Sequence, residues 1–155
     1  MEVNLFNEVI SDVSEYDLLV LRGHLVVEEH LNKLLKILAV NSKFILKNQV
    51  KFSVKLAIVR AFVKDGSVIV WDLIDAINKL RNHIAHDLPY KRDQKKIDKI
   101  LSHPLIKKQI EEQHFKRDLD LSKKQGEHLQ LSLSFMYLFG FLVGKIEALK
   151  RDKGD

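Results

Sequence analysis

No cysteine occurs among the 155 residues. That absence rules out a disulfide framework, a thiolate metal site and the nucleophile of a cysteine enzyme, and it is compatible with a reducing compartment. Proline and glycine are scarce, at two and six residues, so little in the chain interrupts a helix. No segment alternates with the period of a strand. No apolar run approaches the roughly 18 residues that a membrane span needs, and Met1, Glu2, Val3 and Asn4 lack the charged-then-apolar order of a signal peptide. The default expectation is a cytoplasmic protein with no membrane partner. A Gly-rich phosphate loop, a Ser-His-Asp arrangement, a zinc finger, internal repeats and low-complexity tracts are missing as well.

What is present is the composition of one globular domain over residues 1–155, with 46% hydrophobic and 30% charged residues. The formal charge of +5 favours an anionic partner such as nucleic acid without naming one. Apolar residues recur at three- and four-residue spacing, which predicts an all-α protein. A first helix is expected from an N-cap at Ser14 to about Val40, with Glu15 and Asp17 in its first turn and a core seam of Val20, Val27, Leu31, Leu34 and Leu38. After the Asn41-Ser42 break a second helix carries Phe52, Leu56, Val59 and Val63 and stops at the Asp65-Gly66 turn. A third runs from about Val68 to Asp87, ended by Leu88-Pro89, with Leu73, Ile77, Leu80 and Ile84 as its apolar stripe. Residues 90 to 124 carry most of the charge and predict one or two short helices divided near His103-Pro104. The last helix, about Gly126 to Lys150, shows a wide apolar face including Leu129, Leu133, Met136, Phe139, Leu142, Val143 and Ile146. Gly140 and Gly144, four apart, would let another helix approach closely.

The stretch with chemical content is Arg81-Asn82-His83-Ile84-Ala85-His86. At about 100° per residue, Arg81, Asn82, Ala85 and His86 fall within an arc of roughly 140° with Asn78 near its middle, outside the apolar stripe. His83 points away, toward the side of Lys79. An arginine supplies a permanently charged fork for phosphate oxygens, a histidine exchanges a proton near neutral pH, and the Asn82 amide could orient either His86 or the phosphate. In the last helical turn the negative end of the helix dipole favours protonated His86, which suits a general acid. The same residues are also ordinary on the solvated end of a helix.

The spacing Arg81-x4-His86, with Asn82 directly after the arginine and near the end of an internal helix, resembles the HEPN superfamily. The segment Leu21-Arg22-Gly23-His24-Leu25-Val26-Val27-Glu28-Glu29-His30-Leu31 is similar to the first helix of HEPN-like proteins related to the mannitol operon repressor. Together these cover roughly residues 14 to 90. The resemblance implies a HEPN-type bundle of about five helices. It further implies a metal-independent endoribonuclease working as a homodimer, the two motifs facing each other across the interface. In such proteins the ribose 2′-hydroxyl attacks the adjacent phosphate and leaves a cyclic phosphate. His86 would then transfer the proton, Arg81 would stabilise phosphate charge, and Asn82 would be the polar helper, with no cofactor and no metal. Such enzymes are often toxins of toxin-antitoxin pairs or phage-defence nucleases, so an antitoxin or regulatory protein partner is expected beside the RNA substrate. Some carry a tyrosine two residues after the histidine as a modification site. Here Leu88 stands there and Tyr90 follows later, which departs from that pattern. Mannitol-repressor-like relatives are regarded as regulators, so a non-catalytic regulatory or protein-interaction domain is the alternative.

Asn78, His24 and Glu28 are further candidates for lining the site. His24 and Glu28 lie four apart on one helix face, and the plainer expectation is that they pair with each other or with Arg22. The histidine spacings do not suggest a metal site. The basic residues from Lys91 to Lys124 would suit an RNA backbone or simply a solvated face whose acids and bases pair locally.

Overall fold

The apolar spacing becomes seven helices in the computed structural model, which describes residues 16–64, 68–86, 93–112 and 123–154. They are α1 (Tyr16–Leu38), α2 (Ser42–Lys47), α3 (Phe52–Phe62), α4 (Val68–His86), α5 (Gln94–Leu101), α6 (Pro104–Glu112) and α7 (Lys123–Lys153). The all-α class holds, but there are seven helices among the described residues rather than about five. Ser14, Glu15, the Asp65-Gly66 turn, Asp87, the Leu88-Pro89 stop, Tyr90 and, of the basic segment, residues 91–92 and 113–122 lie outside the described residues; the described part of that segment forms the expected short helices, divided at His103-Pro104.

The expected second helix is two. Asn48 turns its side-chain amide back to donate to the Phe44 carbonyl at 2.6 Å, a local bond that competes with helix continuation. Gln49 then adopts a positive φ of 47°. Lys51 is extended, with ψ of 146°, and the chain restarts as α3. Farther on, Asp93 caps α5 by accepting from the Lys96 backbone N–H at 3.2 Å. Pro104 opens α6 at a position where a missing N–H costs no hydrogen bond.

α1 is the central element and packs against α7, α3 and α4. One cluster of buried side chains joins Leu19, Leu31 and Leu34 of α1, Leu56 of α3, Leu73, Ile77 and Leu80 of α4, Ile97 of α5, Ile106 of α6 and Phe135, Leu138 and Leu142 of α7. The predicted stripe of α4 is therefore its core face. The phase of α7 differs from expectation. Its buried row is Leu131, Phe135, Leu138, Leu142 and Ile146, while Met136 is exposed and Leu129 and Leu133 only half-buried. Gly140 and Gly144 sit on the outer side, with nothing within 4 Å of a Cβ built on either, so no helix of this chain approaches them among the described residues. The glycine that permits close approach is Gly23 of α1, where an added Cβ would lie 2.5 Å from the Phe135 ring.

The expectation that no segment has the length and apolarity of a membrane span needs correction. Gly126–Lys153 is long and apolar enough by length and composition. Its serines, glycines and Tyr137 count as near-neutral, and Lys145 and Glu147 are the only charges between Leu129 and Leu149. Here one face of that helix belongs to the bundle core, which the same composition serves equally well. At its end, the Lys153 ammonium donates to the Ile37 carbonyl, so α1 and α7 run parallel with their C-termini together.

A candidate phosphate-ester site at the α1, α3 and α4 junction

Three helices meet around a cavity of about 450 Å3, within the roughly 300–1,000 Å3 usual for small-ligand sites. α4 contributes Asn78, Arg81, Asn82 and His86, which its periodicity stacks along one side. α1 contributes His24 and Glu28, one turn apart. Val50, Lys51, Phe52 and Ser53 form the remaining wall. The structure thus brings all six sequence-predicted candidates to one cavity. It adds the wall at the start of α3, which sequence reasoning missed. The available signal was the polar Lys47-Asn48-Gln49 run, which marks a second helix start.

The predicted arc is not uniformly solvated. Asn82 and His86 are exposed and Arg81 half-buried, but Asn78 is only 6% exposed and His24 1%. These two buried groups satisfy one another across helices: His24 Nε2–H donates to Asn78 Oδ1 at 3.0 Å. The Phe52 ring lies 4.2 Å from the imidazole, centroid to centroid. The expected partnership of His24 with Glu28 or Arg22 is replaced. Glu28 instead binds Lys55 Nζ at 2.7 Å, because α3 carries that ammonium into a position only 8% exposed, where an unpaired charge is costly. Toward the rim, Arg81 Nη1 donates to Asn82 Oδ1 at 3.1 Å, leaving most of the guanidinium fork open to a ligand. That contact gives Asn82 a task neither of the expected ones described: it orients Arg81.

At the restart of α3 the N-cap Lys51 makes no side-chain capping bond. Val54 N–H and Lys55 N–H both reach the Lys51 carbonyl. The N–H groups of Phe52 and Ser53 find no hydrogen-bond partner among the described residues. Uncapped N–H groups at a helix start, with the positive end of the dipole behind them, favour an anion. Lys51 and Arg81 add charge of the same sign. A shallower concavity of about 410 Å3 continues past Asn82 and His86 to Lys79, His83 and Lys96, so His83 does lie on the side of Lys79. Its lysines are already engaged, Lys79 by Asp75 and Lys96 by Asp93.

Burial is the main influence on His24 and pushes its pKa below the ordinary 6.5. Arg81 pushes the same way, against the Asn78 hydrogen bond and the Glu28 charge. Burial also lowers His103, opposed by Asp72 and by a bond to the Ile69 backbone. For both, the folded pKa lies below the unfolded one. The unfolded state therefore binds more protons between the two values, and stability, complete above about pH 6.5, declines as pH falls through that window. Melting temperature is expected to drop between about pH 7.5 and pH 5, and to drop less in His24→Gln. Equal drops in both proteins would show that His24 carries none of this linkage.

The arrangement suits a phosphate ester: cationic and N–H donors at the rim and wall, an exposed imidazole in His86, and a neutral buried imidazole in His24. Comparison with protein-family models, with curated proteins and with solved structures finds no match to this chain.

Proposed function

We propose that the protein is a HEPN-type endoribonuclease that cleaves RNA without a metal, by attack of a ribose 2′-hydroxyl on the neighbouring phosphate. The observation that carries this reading is the convergence of Arg81, Asn82 and His86 with the uncapped start of α3 on one cavity. A guanidinium fork and helix N–H groups together neutralise the charge that builds on the phosphate during in-line displacement. His86, exposed at the rim, is placed to protonate a departing oxygen. The one carboxylate in the lining among the described residues, Glu28, is already engaged by Lys55. A second copy docked at the end of α4 would bring another Arg81 and His86 to the same phosphate backbone and double the local positive charge. In a cell such an activity needs restraint, which gives an antitoxin or comparable partner its place.

Purified protein in EDTA is expected to cut a mixed RNA pool and leave 2′,3′-cyclic phosphate ends. His86→Ala should be slower by about 10²–10⁴-fold with unchanged folding. A folded wild-type protein that leaves the RNA intact would transfer the cavity to the other reading, a non-catalytic regulatory module.

A further inference from the structure

Positive charge is unevenly placed along the chain. Residues 30–64 hold eight lysines and arginines and no aspartate or glutamate, a net +8 in a chain whose formal charge is +5, so everything outside that stretch sums to −3. The basic run from Lys91 to Lys124 is different, since acids interleave it and Lys96 is held by Asp93. Within 30–64, Lys55 is taken by Glu28 and Arg60 by Asp72. Lys43, Lys47 and Lys51 are exposed, and no acid pairs with them among the described residues. The short helix α2 has two faces. Ile45 and Leu46 pack on the core, while at 100° per residue Lys43, Phe44 and Lys47 share an arc of about 100° on the other side. There Phe44 is 64% exposed, with Lys43 Nζ 5.9 Å from its ring centroid. A ring left in water between two lysines does little for folding. It is the arrangement that holds a single nucleic-acid strand, the ring stacking on a base and the ammonium groups meeting phosphates. The patch also runs into the cavity. The Asn48 amide donates to the Phe44 carbonyl, Gln49 turns the chain at a φ of 47°, and Lys51 already belongs to the cavity wall. Four residues separate Lys47 from Lys51, a span of at most about 14 Å.

We propose that α2 is a binding platform for unpaired RNA, Phe44 stacking on a base while Lys43, Lys47 and Lys51 follow the phosphates into the cavity. This rests on the ribonuclease reading and deepens it: the substrate is a single strand, gripped several nucleotides away from the bond that is cut. A duplex keeps its bases stacked on one another and offers Phe44 no open face, so the platform selects against it. Every base has a π-face, so stacking on Phe44 adds affinity without reading sequence. An acidic protein would also meet these lysines. What favours RNA is continuity, because Lys51 serves both surfaces and the acid-free chain from Phe44 to Lys51 suits a row of phosphates that ends at Arg81.

The test follows binding of a fluorescent 2′-O-methyl oligonucleotide, which has no free 2′-hydroxyl and is not cut, by anisotropy over a series of salt concentrations. Phe44→Ala is expected to weaken binding about 5- to 150-fold with the salt dependence unchanged, and Phe44→Trp to restore it. Lys43→Gln combined with Lys47→Gln should reduce the slope of log affinity against log salt by about 0.7 for each lysine. Lys99→Gln combined with Lys107→Gln removes the same charge from α5 and α6 and should leave the slope in place. All five side chains are exposed, so the variants keep the core, which thermal melting checks. Wild-type protein should bind the single strand more tightly than the same strand annealed to its complement. Phe44→Ala with wild-type affinity overturns the platform and gives this face to a protein partner or a membrane. An equal loss of slope in the α5 and α6 pair overturns it too, since net charge alone would then explain the binding. Cleavage of the unmethylated strand judges the ribonuclease reading separately. Cutting without Phe44-dependent binding sinks the platform alone, and Phe44-dependent binding without cutting sinks the nuclease alone.

Discussion

Phe135→Ala is expected to lower the free energy of unfolding by about 3–5 kcal/mol, a large part of the roughly 5–15 kcal/mol that holds a domain of this size together. The Phe135 ring is 1% exposed and fills the notch that Gly23 leaves in α1. Neither side can relax freely, since the ring sits in the buried row of α7 and the notch is made of backbone. The complementary change, Gly23→Ala, places a methyl 2.5 Å from ring carbons and should cost about 1–3 kcal/mol through overpacking. Combining Gly23→Ala with Phe135→Leu should recover part of the loss, because the smaller side chain makes room for the methyl. Urea denaturation of the singles and the double decides it: strictly additive losses would mean that the two positions do not share a contact.

Arg81→Ala is expected to reduce RNA cleavage by about 10²–10³-fold, mainly in kcat, as removal of a donor aimed at developing charge does. Arg81→Lys should recover only a small fraction. A lysine presents a point charge in place of a planar fork and cannot hold Asn82 and a phosphate oxygen together. Its Nη1 contact to Asn82 Oδ1 predicts that Asn82→Ala produces a milder loss in the same direction by freeing the guanidinium. A lysine variant with full turnover would show that Arg81 contributes charge alone. A KM effect without a kcat effect would show that it binds substrate and transition state equally well.

What was legible in the sequence was whatever depended on period alone. The stripe Leu73, Ile77, Leu80 and Ile84 and the opposite arc of Asn78, Arg81, Asn82 and His86 both lie where 3.6-residue spacing puts them. His24 and Glu28 likewise reach the cavity together as neighbours one turn apart. What was not legible depended on contacts between helices. Asn78 reads as part of a solvated face, yet it is buried, because α1 brings His24 over it. Glu28 looks like a partner for His24 or Arg22 until α3 supplies Lys55. α7 is apolar around most of its circumference, so period leaves its rotation open. A single glycine on another helix, Gly23, selects the row containing Phe135. The division of α2 from α3 turns on one side-chain amide reaching back to Phe44, and the start of α3, with its unclaimed N–H groups, is what completes the cavity wall.

The parallel docking of α1 on α7 also fixes an order of events. The helices that wall the cavity, α1, α3 and α4, are synthesised first, but Gly23 and the buried face of α1 stay open to water until α7 has been made. Contacts between the two helices span more than a hundred residues, as Lys153 on Ile37 does, and such long-range closures come late because their loop entropy must be overcome first. A nascent chain therefore carries the parts of the site without the rigid frame that aligns them. α7 acts as the clasp, and the cavity walls are held in register only once that helix has docked on α1.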